Sequence, residues 1–205
     1  ALGDTECVIQ PPDPIMVKDT EPLPDVKFRT NRPGKKFRYY TSMPMDSRVA
    51  HGGVAVADEK GTVTIPGKSL RQNDAMQKLF LIMDGNAMFQ YGATGCETCD
   101  MAMHKNPTVG SVTIVKIPSG EYDASLQAAK KAKLGGAKKI LVLADSLWDF
   151  DRGANAADRM NFFLQKAHGK DIKVVNYAVH GDRIDRITAR FKGNFAEVAH
   201  GKNRY

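Results

Sequence analysis

Two segments of the chain place potentially reactive groups at the ends of predicted strands. Residues 139–147 read as an apolar strand that ends in an Asp-Ser-Leu turn containing Ser146, and residues 176–182 close the next predicted strand at Gly181. The carboxyl ends of parallel strands are where α/β proteins build their sites. A serine hydroxyl there could attack an ester, and nearby backbone N–H groups could stabilise the oxyanion. An ordinary turn of an α/β protein would look the same.

The two segments, both within residues 139–190, resemble the first two blocks of the SGNH, or GDSL, hydrolases, a family of esterases and lipases. The resemblance implies that Ser146 is the nucleophile. It also implies that the N–H groups of Ser146 and Gly181 help to form the oxyanion hole. One departure precedes the serine, since Ala144 stands where the family has glycine.

The rest of the family's catalytic set is incomplete in this chain. The family has an Asp-x-x-His motif near its C-terminus, and Glu197-Val-Ala-His200 resembles it loosely, which implies His200 as the base. The family asparagine on a later Gly-x-Asn-Asp strand has no counterpart before the chain ends. Without a base within about 3 Å of its hydroxyl, Ser146 would be an ordinary serine. We therefore expect a non-catalytic scaffold rather than an active hydrolase.

A second candidate site is the Cys96-Glu-Thr-Cys99 motif with His104 shortly after it. This spacing is typical of half a zinc site or of a redox pair, and a further ligand would have to come from Cys7 or His51. A local disulfide or two free thiols explains the pattern equally well. A thioether-linked chromophore on either cysteine is another alternative. A c-type haem is not predicted, because no histidine follows the second cysteine directly.

Basic residues are concentrated near the N-terminus, in a protein whose formal charge is +7 and whose pI is about 9.3. That charge predicts attraction to acidic proteins or to nucleic acid. Four aromatic residues alternate with the basic ones, a pattern that could also stack on bases. The candidate partner-binding residues are Lys27, Arg29, Arg32, Lys35, Lys36 and Arg38.

The predicted elements fall into three segments. Residues 1–45 hold seven of the ten prolines, which predicts an extended arm. Residues 46–107 are predicted as a small α+β segment, with a hairpin from the β-prone runs 54–57 and 62–65. Ser69 and Gln72 form a capping box ahead of apolar residues at helical spacing, which predicts a helix ending near residue 83.

Residues 108–205 form the third segment, in which strand and helix patterns alternate. Strands are predicted at residues 112–117, 140–144 and 172–179, each followed by a helix. Apolar strands separated by helices indicate an α/β fold, with a small parallel sheet and covering helices over residues 111–205. No run approaches the roughly 18 consecutive apolar residues that a membrane-spanning helix needs, so no membrane span is expected.

These features together favour a non-catalytic structural or linker subunit that binds acidic protein subunits of a larger assembly. Residues 112–143, which include Gly135-Gly136-Ala-Lys-Lys, also resemble the small C-terminal domain of phycobilisome linker polypeptides. That resemblance implies acidic pigmented partners, a plastid or cyanobacterial setting and a bilin on Cys96 or Cys99. Because the chain starts with Ala-Leu-Gly-Asp, we expect processing for a plastid, a mitochondrion or export.

Overall fold

The computed structural model describes residues 6–42, 51–83, 109–151 and 153–199. It divides the chain into two compact units. The N-terminal unit is Ala1–Pro118, and the C-terminal unit is Ser119–Tyr205.

The described residues of the N-terminal unit form two β-sheets around one core. Its strands are β1 (Ile9–Gln10), β2 (Ile15–Lys18), β3 (Val26–Thr30), β4 (Lys36–Ser42), β5 (His51–Val56), β6 (Thr62–Ile65), β7 (Met76–Met83) and β8 (Val109–Ile117). One sheet is antiparallel with the order β1-β3-β6. The other is mixed with the order β2-β8-β7-β4-β5, in which β2 runs parallel to β8 and the remaining pairs are antiparallel.

The core of this unit forms where the two sheets contribute alternate side chains to one cluster. Phe28 and Val63 of the antiparallel sheet are fully buried together with Phe37, Leu79 and Leu81 of the mixed sheet. In β3 the buried positions alternate with exposed ones, because successive side chains of a strand point to opposite faces. The alternation of polar and apolar residues in this part of the chain therefore builds a sandwich of two sheets.

The predicted extended arm is wrong, because residues 6–42 supply strands β1 to β4. The prolines in this range lie in the connections, at positions 11, 12 and 14, at 22 and 24, and at 33. A proline lacks the N–H that a central strand must donate, but it is well tolerated between strands. The proline spacing thus marks where these strands end.

The predicted helix ending near residue 83 is also wrong, since these residues form β7. This strand pairs with β4 on one side and β8 on the other, and Leu79 to Ile82 are buried on both faces of the sheet. A continuous apolar run fits either a helix or a buried central strand. Ser69 and Gln72 do not begin a helix. Ser69 is the last residue of a single 3-10 turn, Gly67–Ser69, and the Gln72 side-chain amide donates to the carbonyl of Gly67 at 2.7 Å.

The predicted turn between β5 and β6 is present, but the two strands do not pair with each other as the predicted hairpin requires. Asp58 accepts hydrogen bonds at its side chain from the N–H groups of Lys60 and Thr62, at 2.9 and 2.8 Å. However, β5 pairs with β4 and β6 pairs with β3, so the two strands belong to different sheets. The turn therefore connects the two layers of the sandwich.

The described part of the C-terminal unit, residues 119–151 and 153–199, contains two parallel strands and four helices. These are α1 (Ser119–Lys131), β9 (Lys139–Val142), α2 (Ser146–Asp149), α3 (Ala156–His168), β10 (Lys173–Asn176) and α4 (Ile184–Ala199). The strands pair in parallel from Lys139 opposite Lys173 to Val142 opposite Asn176. Helix α1 packs on α3 through Tyr122, whose ring centroid lies 5.1 Å from that of Phe163.

The predicted α/β fold, a small parallel sheet with covering helices over residues 111–205, does not fit the structure. Its first strand is β8, which lies in the mixed sheet of the N-terminal unit. In the described part of the C-terminal unit the parallel sheet is reduced to β9 and β10. The error has a simple reason: apolar pattern reveals a buried strand, but not which distant strand it pairs with.

Candidate active site at the end of the parallel strand pair

The first site loop, residues 144–150, begins two residues after β9 and contains Ser146. Asp145 caps helix α2, and its carboxylate accepts the N–H of Leu147 at 3.1 Å. Acidic and hydroxyl side chains favour this position because they bind the free N–H groups of the first helical turn. Ser146, the first residue of the helix, is half-buried at the carboxyl end of the strand.

The second site loop, residues 176–182, leaves β10 beside the first. It continues the parallel pairing beyond the strand, because Tyr177 and Val179 donate their N–H groups to the carbonyls of Val142 and Ala144, at 2.8 and 3.1 Å. Asn176 then turns the chain by accepting the N–H of Ala178 at 3.0 Å. The two loops thus lie side by side at the same edge of the strand pair.

Three contacts join the two site loops beyond the strands. The Asn176 amide donates to the carbonyl of Trp148 at 2.6 Å. The N–H of His180 donates to the Asp149 carboxylate at 2.9 Å, and the rings of Phe150 and His180 have centroids 4.9 Å apart. These contacts hold the residue directly before Gly181 against the helix that begins with Ser146.

Backbone N–H groups are left without partners at two positions of this site. Within the described ranges, the N–H groups of Ser146 and Gly181 form no hydrogen bond, and neither does the Ser146 hydroxyl. Gly181 has a positive φ of 73° and is exposed, and no atom within 4 Å would meet a Cβ there. Ser146 therefore carries an unused hydroxyl and an unused N–H donor, and Gly181 carries an unused N–H donor, among the described residues.

An ion pair anchors the far end of the second site loop. Arg190 of α4 lies 2.5 Å from the carboxylate of Asp182 as an ion pair, and donates to the carbonyl of Tyr177 at 2.8 Å. The Asp182 side chain is only 6% exposed, so its charge requires this partner. The arginine thus holds both ends of the loop that carries Gly181.

A second pair lies at the start of α4 on the surface. Arg183 donates to both carboxylate oxygens of Asp185, at 3.1 and 2.8 Å. This hydrogen bonding lowers the pKa of the Asp185 carboxyl and raises the pKa of Arg183. Because both side chains are well exposed, the pair contributes little to stability.

The described histidines of this unit do not contact the Ser146 hydroxyl. The His168 ring nitrogen lies 2.7 Å from the carbonyl of Ala129, and His180 packs against Phe150. His200, the base implied by the family resemblance, lies outside the described residues.

Large exposed apolar side chains lie in the two site loops and directly after them. Leu147 and Ile184 are 79% and 78% exposed, and Phe150 and Val179 are 55% and 37% exposed. Two belong to the first site loop, one to the second, and one begins α4 just after it. Exposed apolar groups concentrated in one place are typical of a binding surface.

The cysteine motif cannot be located in the same way. Cys96, Cys99 and His104 lie outside the described residues, so the zinc, redox and chromophore hypotheses stay predictions. Cys7 is a free thiol buried in the sandwich core. No three His, Cys, Asp or Glu side chains within the described ranges are close enough together to hold a metal ion.

The predicted partner-binding residues occupy two strands and the turn between them. Lys27 and Arg29 lie on β3, Arg32 and Lys35 in the turn, and Lys36 and Arg38 on β4. Five of them are exposed, and Arg32 is half-buried. The aromatic residues Phe28, Phe37 and Tyr39 point into the core instead, so those three rings cannot stack on nucleic-acid bases.

Sequence reasoning missed the side chains that hold the two site loops together. Asp149 and Asn155 belong to this set, because Asn155 caps α3 and also donates to the carbonyl of Trp148 at 3.1 Å. Asn155 could have been found, since an asparagine followed by an aspartate three residues later often begins a helix. The contact of Asp149 with His180 has no local signal, because it joins residues 31 positions apart.

Comparisons with protein-family models and with curated proteins find no match to this chain. In the ranges that the structure describes, no helix combines the length and the apolar character needed to cross a membrane.

Proposed function

We propose that the C-terminal unit carries the nucleophile and oxyanion hole of a serine ester hydrolase. The observation that supports it is the pair of unused N–H groups, on Ser146 and Gly181, in two loops joined beside a serine hydroxyl without a partner in the described ranges. In serine hydrolases, backbone N–H groups that donate to the developing oxyanion commonly give the largest single contribution to transition-state stabilisation. The resemblance of residues 139–190 to the SGNH hydrolases supports the same assignment.

In the proposed reaction the Ser146 oxygen bonds to the ester carbonyl carbon, and its proton passes to a base. Negative charge develops on the carbonyl oxygen, where the N–H groups of Ser146 and Gly181 donate hydrogen bonds. The alcohol departs with a proton from the base, and water then releases the acid and restores the serine. His200 is the proposed base.

The exposed apolar residues around the site indicate the substrate class. Leu147, Phe150 and Val179 are exposed residues of the loops that carry the nucleophile and the oxyanion donors. An ester with an apolar acyl or alkyl group would cover these side chains and gain roughly 25 cal/mol per Å² of apolar surface removed from water. A small, fully polar ester would gain none of this.

Ester turnover with matched variants tests the proposal. The intact protein should hydrolyse p-nitrophenyl butyrate faster than p-nitrophenyl acetate, and Ser146→Ala should abolish the protein-dependent rate. Ser125→Ala is the control, because Ser125 is a half-buried serine on α1. His200→Ala should lower the rate by roughly 10²–10⁴-fold if this residue is the base. Turnover that survives in Ser146→Ala would exclude the proposed nucleophile.

The hypothesis of a linker subunit stays a prediction. Its main support was an extended basic arm, and the structure has strands β1 to β4 there instead. Residues 112–143, which carry the likeness to phycobilisome linkers, are divided between β8 of one unit and α1 and β9 of the other. The proposed function therefore rests on the C-terminal unit.

A further inference from the structure

A shallow cavity on the N-terminal unit is unrelated to the serine site. It has a volume of about 340 Å³ and lies beside the outer surface of the antiparallel sheet. Its lining consists of Gln10, Pro11, Pro12, Asp13, Lys27 and Arg29. This volume is at the lower end of the range for small-molecule sites, roughly 300–1,000 Å³, so it fits one or two sugar-sized rings.

The two cations of the cavity are held on a rigid strand. Lys27 and Arg29 are exposed on β3. Val26, which precedes Lys27, and Phe28, which lies between the two cations, are buried in the core. β3 pairs with β6 from Val26 to Arg29, and with β1 at Arg29 and Thr30. The backbone positions from which the two side chains extend are therefore fixed by the sheet, and binding has to order only the side chains themselves.

Neither cation is neutralised by a side chain among the described residues. In the part of the chain that the structure describes, Lys27 and Arg29 have no ion pair or side-chain hydrogen bond. Asp13, although it lines the same cavity, is not paired with either of them within those residues. An arginine guanidinium can bind a carboxylate through two parallel hydrogen bonds, and a lysine beside it adds a point charge.

The remaining lining selects among anionic ligands. Asp13 and the carbonyl of Gln10's side chain accept hydrogen bonds, so the cavity can bind hydroxyl groups as well as a carboxylate. No aromatic ring lines the cavity to stack on a base, which disfavours a single-stranded nucleic acid. Donors for an anion next to acceptors for hydroxyls match a hydroxylated carboxylate.

We propose that this cavity binds a uronic acid unit of an acidic saccharide. Arg29 and Lys27 bind the sugar carboxylate, and Asp13 and Gln10 bind its hydroxyl groups. The proposal is independent of the esterase assignment, since it uses no residue of the C-terminal unit.

Calorimetric titration of the full chain with trigalacturonate, at one fixed salt concentration, tests the proposal. Neutral galactotriose should bind at least about tenfold more weakly, because it lacks the charge-assisted hydrogen bonds. Arg29→Gln should weaken trigalacturonate binding by about tenfold or more, and Lys27→Gln by a smaller factor. The control is Lys68→Gln, which removes one charge from an exposed position of the 3-10 turn outside the cavity and should leave the affinity unchanged.

Two further measurements separate a saccharide from another polyanion. Asp13→Ala should bind trigalacturonate more weakly than Asp13→Asn, because both variants lose the same charge but only asparagine keeps a hydroxyl acceptor. A ten-residue oligothymidylate should bind the parent protein more weakly than trigalacturonate. Equal binding of galactotriose, an equal effect of Lys68→Gln, or tighter binding of the oligothymidylate than of trigalacturonate would each overturn the proposal. An absence of trigalacturonate binding by the folded parent protein would overturn it as well.

Discussion

Replacing Asn176 with alanine should loosen the connection between the two site loops. The Asn176 side chain makes two hydrogen bonds, as a donor to the carbonyl of Trp148 at 2.6 Å and as an acceptor from the N–H of Ala178 at 3.0 Å. Ala178 is 1% exposed, so its N–H would lose its partner in a buried position. The carbonyl of Trp148 would keep its second donor, Asn155.

The magnitude follows from these contacts. Each hydrogen bond contributes about 1 kcal/mol net, and a buried donor left without a partner costs about 1–3 kcal/mol. Because the Trp148 carbonyl remains bonded, we expect Asn176→Ala to lower the free energy of unfolding by about 2–4 kcal/mol. The esterase rate should fall as well, because the loop carrying Gly181 begins at this residue.

Urea denaturation followed by tryptophan fluorescence measures this loss directly. The chain has a single tryptophan, Trp148, which lies in the first site loop and reports on the C-terminal unit. Gln127→Ala is the control, because Gln127 is an exposed amide on α1 without a hydrogen bond to the described residues. Ordinary surface variants change the free energy of unfolding by less than about 0.5 kcal/mol. If Asn176→Ala changes it by no more than this, the two site loops are not held together by Asn176.

Three further changes test other parts of the structure. Phe28→Ala should lower the free energy of unfolding by about 3–5 kcal/mol in calorimetry, because Phe28 fills the centre of the sandwich core. Val8 is exposed, so Val8→Ala is the control. If Phe28→Ala lowers the free energy of unfolding by less than Val8→Ala does, Phe28 is not a core residue. Gly61→Ala should cost at least about 2 kcal/mol, since its φ is +76° and a Cβ would clash with the Thr30 carbonyl. Arg190→Gln should cost about 1.5–3 kcal/mol by the fluorescence assay, and no loss would argue against the anchored loop.

Sequence pattern could predict the elements that are specified by residues close to one another in the chain. Apolar periodicity predicts strands at residues 140–144 and 172–179 with a helix between them, and β9, α3 and β10 lie in these places. Gly169 after α3 is a further signal within the sequence. The position of Ser146 after a strand follows from the same pattern. These elements bring Ser146 and the Gly181 loop to one edge.

The errors concern pairing over long sequence distances. β7 reads equally well as a helix because its apolar residues run continuously, and only its position between β4 and β8 decides for a strand. β8 pairs with β2, about a hundred residues earlier in the chain, which no local signal records. The prolines of residues 11–33 likewise suggested an arm, because their role between strands depends on the sheets that form around them.

Covalent labelling of the intact protein with a fluorophosphonate tests the central claim most directly. This reagent forms a bond with a serine oxygen that is activated and placed beside an oxyanion hole. We predict one adduct per chain by intact mass, located on the peptide that contains Ser146, absent from Ser146→Ala and retained in Ser125→Ala. An unlabelled protein, or an adduct that survives in Ser146→Ala, would contradict the assignment of this site as a serine hydrolase centre.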